Sequence, residues 1–456
     1  MTLLLLKALK WYLWDINNLR RLTNEKLMEL RDKLFRSMVR RAYEVPMYYK
    51  LFKRKGVHVE EIRGVRDANK LPLIYKEDIE KQSLDELIPH HRDEKLFIQV
   101  STSGTTGKSL SIYVDFSDII IGLLGYLRTI REYGVNWWRD RLTVIGDFAP
   151  HTAETGYVRR GVFNNPLFSS VFKRVQWLDT NSKPEDVIRR LNEFKPDFIG
   201  GYVGMLGHLA VLKKQGLGRE VNPRCIASTG AVLDSSLKKF IEETFETTVF
   251  EVYGATETGP IAFQCREEGV YHILSDLLYV EVLEDGKPVE SKQPGHIVVT
   301  KLYGGGTPII RYAALNDIVS PLYEEHKCGL GGDLLHRIYG RDSIRLYRGD
   351  GKIVLASNIT KVFSRVLYEL QTSVIRDVKV IQRNFNEIEV QLVLDEKIKR
   401  KEGNIEGVYG LIEKGLRELL GSNTSVEIRE VERVSRDEPR IISRIKPEDV
   451  KITGYL

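Results

Sequence analysis

Short apolar runs alternate with amphipathic stretches from about residue 140 to 255, and few folds accommodate that alternation. DVIRRLNEF has the spacing of a helix, DFIGG that of a strand, VGMLGHLAVLKKQG a helix, RCIAST a strand, SSLKKFIEETF a helix and TVFEVYG a strand. Helices and strands in this order predict βαβ units and a largely parallel sheet. After Gly259 the pattern changes. YHILSDLLYVEVLEDGKPV and GHIVVTKL read as hairpin strands separated by Gly and Pro, and so as a β-rich subdomain.

The 456 residues exceed one ordinary core, so more than one domain is expected. From about Gly340 the chain reads as a hairpin (SIRLYRGDGKIVL), a helix (NITKVFSRVLYEL), two strands (DVKVIQRN, IEVQLVLD), a helix (GVYGLIEKGLRELL) and a strand (SVEIREVE). That order suits a small separate α+β domain. The expected fold class is therefore α/β: a large N-terminal domain over 1–340 with parallel α/β sheets and a β-rich subdomain, and a small mobile α+β C-terminal domain over 341–456.

Sixty-nine basic against 63 acidic residues leave +6, a weak field for this length, so no nucleic-acid footprint follows. Cys225, Cys265 and Cys328 are too few and too scattered for a disulfide framework, which favours a reducing, cytoplasmic compartment. The leading MTLLLLKALKWYLWDI is interrupted by Lys7, Lys10 and Asp15 before it could span a membrane. It reads as an amphipathic helix packed on the body of the protein, with peripheral membrane contact as the alternative. Residues 24–45 place Leu27, Leu30, Leu34 and Met38 at helical spacing, with Pro46 as the stop.

Two segments carry the chemistry. STSGTTGKSL, residues 101–110, lies between the apolar run FIQV and the strand-like LSIYVD. A Walker A loop needs four residues between its glycines and a helix directly after its Lys-Ser/Thr. Here two residues separate Gly104 from Gly107, and a strand follows. What remains is a cradle: the hydroxyls of Ser101, Thr102, Ser103, Thr105 and Thr106, two permissive glycines, and Lys108, which together can wrap phosphoryl oxygens. A plain hairpin turn would not need so many hydroxyls. The second segment, EVYGATETG, residues 251–259, ends a predicted sheet strand, where open α/β sheets bind ligands. Tyr253 offers a face for a purine, Thr256 a hydroxyl for phosphate and Glu257 a carboxylate for Mg2+.

A hydroxyl- and glycine-rich loop with Lys, followed about 150 residues later by YGATE, resembles the adenylate-forming superfamily. RRAYEVPMYYKLFKRKGV, LPLIYKEDI, FIGGYVGML and GVYHILSDLLYVEVL narrow the resemblance to the phenylacetate–CoA ligase family and its relatives. The resemblance implies ATP-dependent conversion of a carboxylic acid to an acyl-adenylate and then to a coenzyme A thioester. By the same resemblance, Ser101 to Lys108 hold the departing pyrophosphate, and Gly230 and Ala231 of STGAV lie along adenine. Tyr253 and Gly254 border the base, Thr256 binds the α-phosphate and Glu257 holds magnesium. Asp317 accepts from the ribose hydroxyls, and Arg341 sits near the ribose at the hinge. Relatives are often homodimers.

Three departures from the family pattern matter. Arg311 to Asp317 is one residue longer than usual, Ser343 and Ile344 follow Asp342 where paired acids are usual, and Pro439-Arg440 stands where the family has its Gly-Lys. Arg440 or Lys446 is the candidate substitute for that adenylation lysine; as surface charges they would leave adenylation slow. Cys265, His272, His326 and Cys328 form an inventory for a tetrahedral structural zinc site, the alternative being a buried small thiol and a solvated loop histidine. Cys225 reads as core. Phe148, Tyr157 and Tyr202 are candidate walls of an acid pocket that would admit an aryl acid such as phenylacetate. The competing readings are an adenylyltransferase that does not use coenzyme A, with a deazaflavin coenzyme or a polysaccharide-related substrate, and a degenerate nucleotide-binding homologue.

Overall fold

The computed structural model of the chain describes residues 10–90, 92–101, 110–149, 152, 155, 174–267, 269–324, 326–342, 345–402, 405–435 and 439–456. The chain divides into two compact units. One comprises Met1–Ser103, Leu110–Asp179 and Phe250–Ile338; the other comprises Gly104–Ser109, Thr180–Val249 and Tyr339–Leu456.

The first unit contains the β-rich region. Strand Leu278–Glu284 pairs antiparallel with Gly295–Lys301, and strand Thr248–Ala255 is followed antiparallel by Gly259–Gln264 and Tyr271–Ile273, with Tyr253 opposite Ala262 and Phe263 opposite His272. Strands Leu142–Gly146 and Val175–Asp179 pair in parallel. Phe35, Tyr48, Phe52, Ile74, Ile297 and Val299 lie at the centre of this unit's core. The Asn24–Tyr43 helix starts where Thr23 accepts a hydrogen bond from the Lys26 N–H. It buries Leu27, Phe35, Met38, Val39 and Ala42, whereas Leu30 and Leu34 are only half-buried. The apolar face is thus turned from the one the leucines alone predict, because Arg31 also lies on it, ion-paired with Asp333. Pro46 both closes this helix and opens the next, Pro46–Arg54, where a first-turn proline lacks only an N–H that would be unpaired anyway. Near the N-terminus, Ile16 is buried and Trp137 Nε1 donates to Tyr12 Oη at 3.1 Å, so residues from Lys10 onward pack on this unit as expected. Among the described residues no helix is long and apolar enough to cross a membrane.

Within the second unit, strands Phe198–Tyr202 and Cys225–Thr229 pair in parallel, with helices Pro184–Phe194, Val203–Lys214 and Ser235–Phe245 beside them, as the alternation predicts. The C-terminal part carries its own core from Leu346 to Ile441, including Val362, Val390, Ile412 and Leu416. Its sheet joins Ile375–Asn384 and Glu387–Leu394 antiparallel, with Ser425–Glu430 and Ile441–Ser443 flanking in parallel. The last of these strands and Gly454–Tyr455 escape sequence reading because they are too short to show a period.

Candidate functional site

Strand Ile98–Ser101 pairs antiparallel with Ser111–Val114, Ser101 opposite Ser111, so the hydroxyl-rich loop does connect two strands. Thr102, Ser103, Gly104, Thr105, Thr106, Gly107 and Lys108 lie outside the described residues, as does Tyr157. The hairpin itself is firmly seated. Thr307 N donates to Tyr113 O at 2.7 Å and Tyr113 N to Thr307 Oγ1 at 3.0 Å.

Thr307 follows three glycines whose placement depends on one buried carboxylate. Asp118 pairs with Lys301 at 2.7 Å, the side chains 1% and 3% exposed, and its Oδ2 accepts the N–H groups of Gly305 at 3.3 Å and Gly306 at 3.0 Å. Burial raises the Asp118 pKa; the Lys301 ammonium opposes that rise and Asp115 adds to it. A Cβ at Gly304, whose φ is +92, would stand 1.7 Å from Asp118 Oδ1. Sequence reasoning missed Asp118, Lys301 and the glycine run because the partners are 183 residues apart; the triplet GGG before Thr307 was the available signal.

Tyr253 and Asp317 meet. The Tyr253 hydroxyl donates to Asp317 Oδ2 at 2.6 Å, both residues half-buried. The chain reaches Asp317 through Asn316, a left-handed residue at φ 52. Arg311 is buried and forks onto Glu281 at 2.9 and 3.0 Å while donating to Leu71 O at 2.6 Å, so it fastens this segment to the sheet. Glu257 is 8% exposed and accepts from Tyr312 Oη at 2.9 Å. Thr256, next to it, is half-exposed. The turn back to the next strand uses Gly259 at φ +71, where a Cβ would meet Tyr303 Oη at 2.9 Å. The result is an aromatic hydroxyl, two carboxylates and a threonine hydroxyl, at a strand end and the segments that approach it.

In the other unit Gly230 and Ala231 lie just past strand Cys225–Thr229, and both are exposed. Gly230 has φ +81, and a Cβ there would stand 2.1 Å from the Tyr202 ring. Tyr202 is half-buried, and in the first unit Phe148 packs edge-on to Trp177 at 6.0 Å. Arg341 is exposed, and Arg345 pairs with Asp342 at 2.7 Å. Arg440 is held by Asp377 at 2.6 Å and by Ser435 O at 3.1 Å. Lys446 projects into solvent with a side chain 72% exposed, 3.7 Å from Glu448.

Cys265, His272, His326 and Cys328 come together, their ligand atoms all within 4.8 Å of one another. The strand pairing brings His272 beside Cys265, and the loop before strand Leu334–Arg341 delivers the other two. Cys328 Sγ lies 3.2 Å from His272 Nε2, and the two imidazoles cross at 82°. Tetrahedral Zn2+ ligands sit roughly 3.3–3.8 Å apart, so little closing-in is required. Burial, with His326 and Arg20 nearby, lowers the His272 pKa to about 4, which keeps the imidazole in its ligating form. Burial and the neighbouring Cys265 thiol raise the Cys328 pKa, and a cation among them would reverse that shift. His272 Nδ1 is buried without a hydrogen-bond partner. Cys225 is core, as expected.

No protein-family model matches the chain. Among curated proteins it is similar to the phenylacetate-coenzyme A ligase of Escherichia coli (strain K12), 25% identical over 303 residues, which take in 63% of this chain and 66% of that one. It is also similar to the enzyme of the same name from Thermus thermophilus, 25% identical over 350 residues, or 72% and 73% of the two chains. The match thus spans just under two thirds of the Escherichia coli protein. Among solved structures, 2-hydroxyisobutyryl-CoA ligase in the postadenylation state superposes with a TM-score of 0.72 over 95% of this chain and 92% of that one, at 16% identity. The chain thus shares the fold of that CoA ligase. The curated proteins it resembles in sequence include phenylacetate-coenzyme A ligases.

Proposed function

We propose that the protein is an ATP-dependent, AMP-forming ligase that converts a carboxylic acid to its coenzyme A thioester, with an aryl acid such as phenylacetate as the substrate class. The observation that carries the reading is the 2.6 Å hydrogen bond between Tyr253 and Asp317, which joins the residues that the family resemblance assigns to adenine and ribose. The relatives' names and the shared fold support the same reaction.

In the first half-reaction a carboxylate oxygen of the acid bonds to the α-phosphorus of ATP and the bond to the β-phosphate oxygen breaks, giving acyl-AMP and pyrophosphate. Ser101 to Lys108 hold the departing pyrophosphate, and Thr256 donates to the α-phosphate. Glu257 holds Mg2+, which neutralises phosphate charge when bound. Gly254 lets the backbone lie close along adenine, and Asp317 accepts from the ribose hydroxyls. In the second half-reaction the coenzyme A thiolate attacks the acyl carbon, the carbon–oxygen bond to phosphate breaks and AMP leaves. The protein contributes position and charge. Residues 341–456 turn on the hinge near Arg341 between the two steps, a role that suits a segment with its own core.

Arg440 favours a second reading. Its guanidinium is already engaged by Asp377, so serving the α-phosphate requires that pair to open, and Lys446, the more exposed of the two, is the less engaged cation of the tail. If neither serves, adenylation is slow while thioester formation from supplied acyl-AMP survives. Hydroxylamine trapping across a panel of acids, with and without coenzyme A, separates the readings. A CoA ligase gives hydroxamate without coenzyme A and thioester with it. An adenylyltransferase with another acceptor gives pyrophosphate but no thioester, and a degenerate homologue binds ATP without turnover.

Cys265, His272, His326 and Cys328 hold a structural Zn2+ that ties the 326–333 loop to the sheet. Metal analysis after chelator washing tests this: about one equivalent retained supports the site, and cobalt exchange without a thiolate charge-transfer band refutes it. A cytoplasmic homodimer completes the reading, consistent with three unbridged cysteines, and light scattering tests the assembly.

A further inference from the structure

A concavity of about 470 Å³ in the first unit is lined by Lys33, Arg36, Ser37, Arg40, Arg41, Glu44 and Arg92. All but Arg92 follow one stripe of the Asn24–Tyr43 helix and its cap, at intervals of three and four residues. Five cations face one carboxylate there, against a net +6 for the entire chain, so the local charge is far above the average surface. Arg36 and Arg40 are like charges one turn apart, an arrangement that disfavours the helix unless something neutralises it.

The cations are not consumed by internal partners. Lys33 and Arg40 have no ion-pair partner among the described residues. Arg36 donates to Arg63 O and Arg41 to Gly304 O, neutral acceptors that fix the guanidinium groups in place and leave their charge intact. Only Arg92 is offset, by Asp115 at 3.2 Å. Guanidinium groups held by carbonyls lose little freedom on binding and present paired N–H donors suited to phosphate oxygens. Ser37 adds a hydroxyl.

We infer that this concavity is an anion site for a ligand carrying two or more clustered phosphate groups. Its volume exceeds what a single orthophosphate needs, and among the described residues its lining holds no aromatic ring for a nucleobase. The phosphates belong either to a free oligophosphate or to a lipid headgroup, and the chemistry of recognition is the same.

The test titrates the full-length protein with inorganic tripolyphosphate in the presence of saturating ATP, so that a catalytic phosphate cradle is already occupied. Arg40→Gln and Lys33→Gln serve as variants, because neither side chain is buried and their loss disturbs no described contact; thermal melting confirms that they fold. Binding should weaken about tenfold in Arg40→Gln and fall steeply with salt in the wild type. A parallel arm uses phosphatidylcholine vesicles with and without phosphatidylinositol bisphosphate. Binding to the doped vesicles alone, lost in Arg40→Gln, assigns the phosphates to a lipid. Equal binding of tripolyphosphate by wild type and both variants, or no binding in either arm, overturns the inference.

Discussion

Tyr253 and Asp317 come from opposite ends of a 64-residue span, and their hydrogen bond is the smallest unit of the proposed nucleotide site. Tyr253→Phe removes that bond while keeping the ring, so KM for ATP should rise about five- to tenfold, in line with a bond worth roughly 1 kcal/mol, with kcat largely kept. Steady-state kinetics in varied ATP checks the split. Asp118 is a matter of stability rather than catalysis. Asp118→Ala leaves Lys301 buried without its counter-ion, and urea unfolding should show a loss of about 3–5 kcal/mol. His208, with Nδ1 buried and unpartnered, gives a pH signature. Burial lowers its pKa from 6.5, with Glu185 opposing and Arg376 assisting. The unfolded chain therefore takes up the proton first, so stability is lost as pH falls below about 6.5. In His208→Leu, the urea midpoint should depend less on pH over that range.

At the level of elements, the glycine run before Thr307 behaves as a packed joint. Gly304→Ala should displace the loop from Asp118 and loosen the 98–114 hairpin, detectable as faster amide exchange at Tyr113, whose N–H is bonded to Thr307; unchanged exchange there would remove the joint. The helices and strands between 184 and 255 were legible in the sequence because short apolar runs alternate there with helices such as Pro184–Phe194, which buries Val187, Ile188 and Leu191 on one face, and the hairpin around the hydroxyl-rich loop was legible from its flanks. Pairings over long separations were not. Nothing in the stretch around Asp118 points to Lys301, and nothing near Asn24 points to the cationic stripe as a concavity, because both depend on which loop the chain brings alongside. The cysteine–histidine set was visible only as an inventory. Its irregular spacing became interpretable once the pairing of Phe263 with His272 placed two of its members side by side.

For the whole molecule, the two compact units each gather segments distant in sequence, so loss of one tie should be felt regionally. Cys265→Ser should lower zinc content and destabilise the β-rich region, read by metal analysis and by proteolysis of the 326–333 loop. The central claim concerns the route by which the acid is activated, and isotope transfer tests it most directly. With acid labelled with 18O in its carboxylate, ATP and coenzyme A, the acyl-adenylate route leaves one labelled oxygen in AMP after thioester formation, visible by 31P spectroscopy. Label in inorganic phosphate together with ADP, or thioester formed with unlabelled AMP, would contradict it.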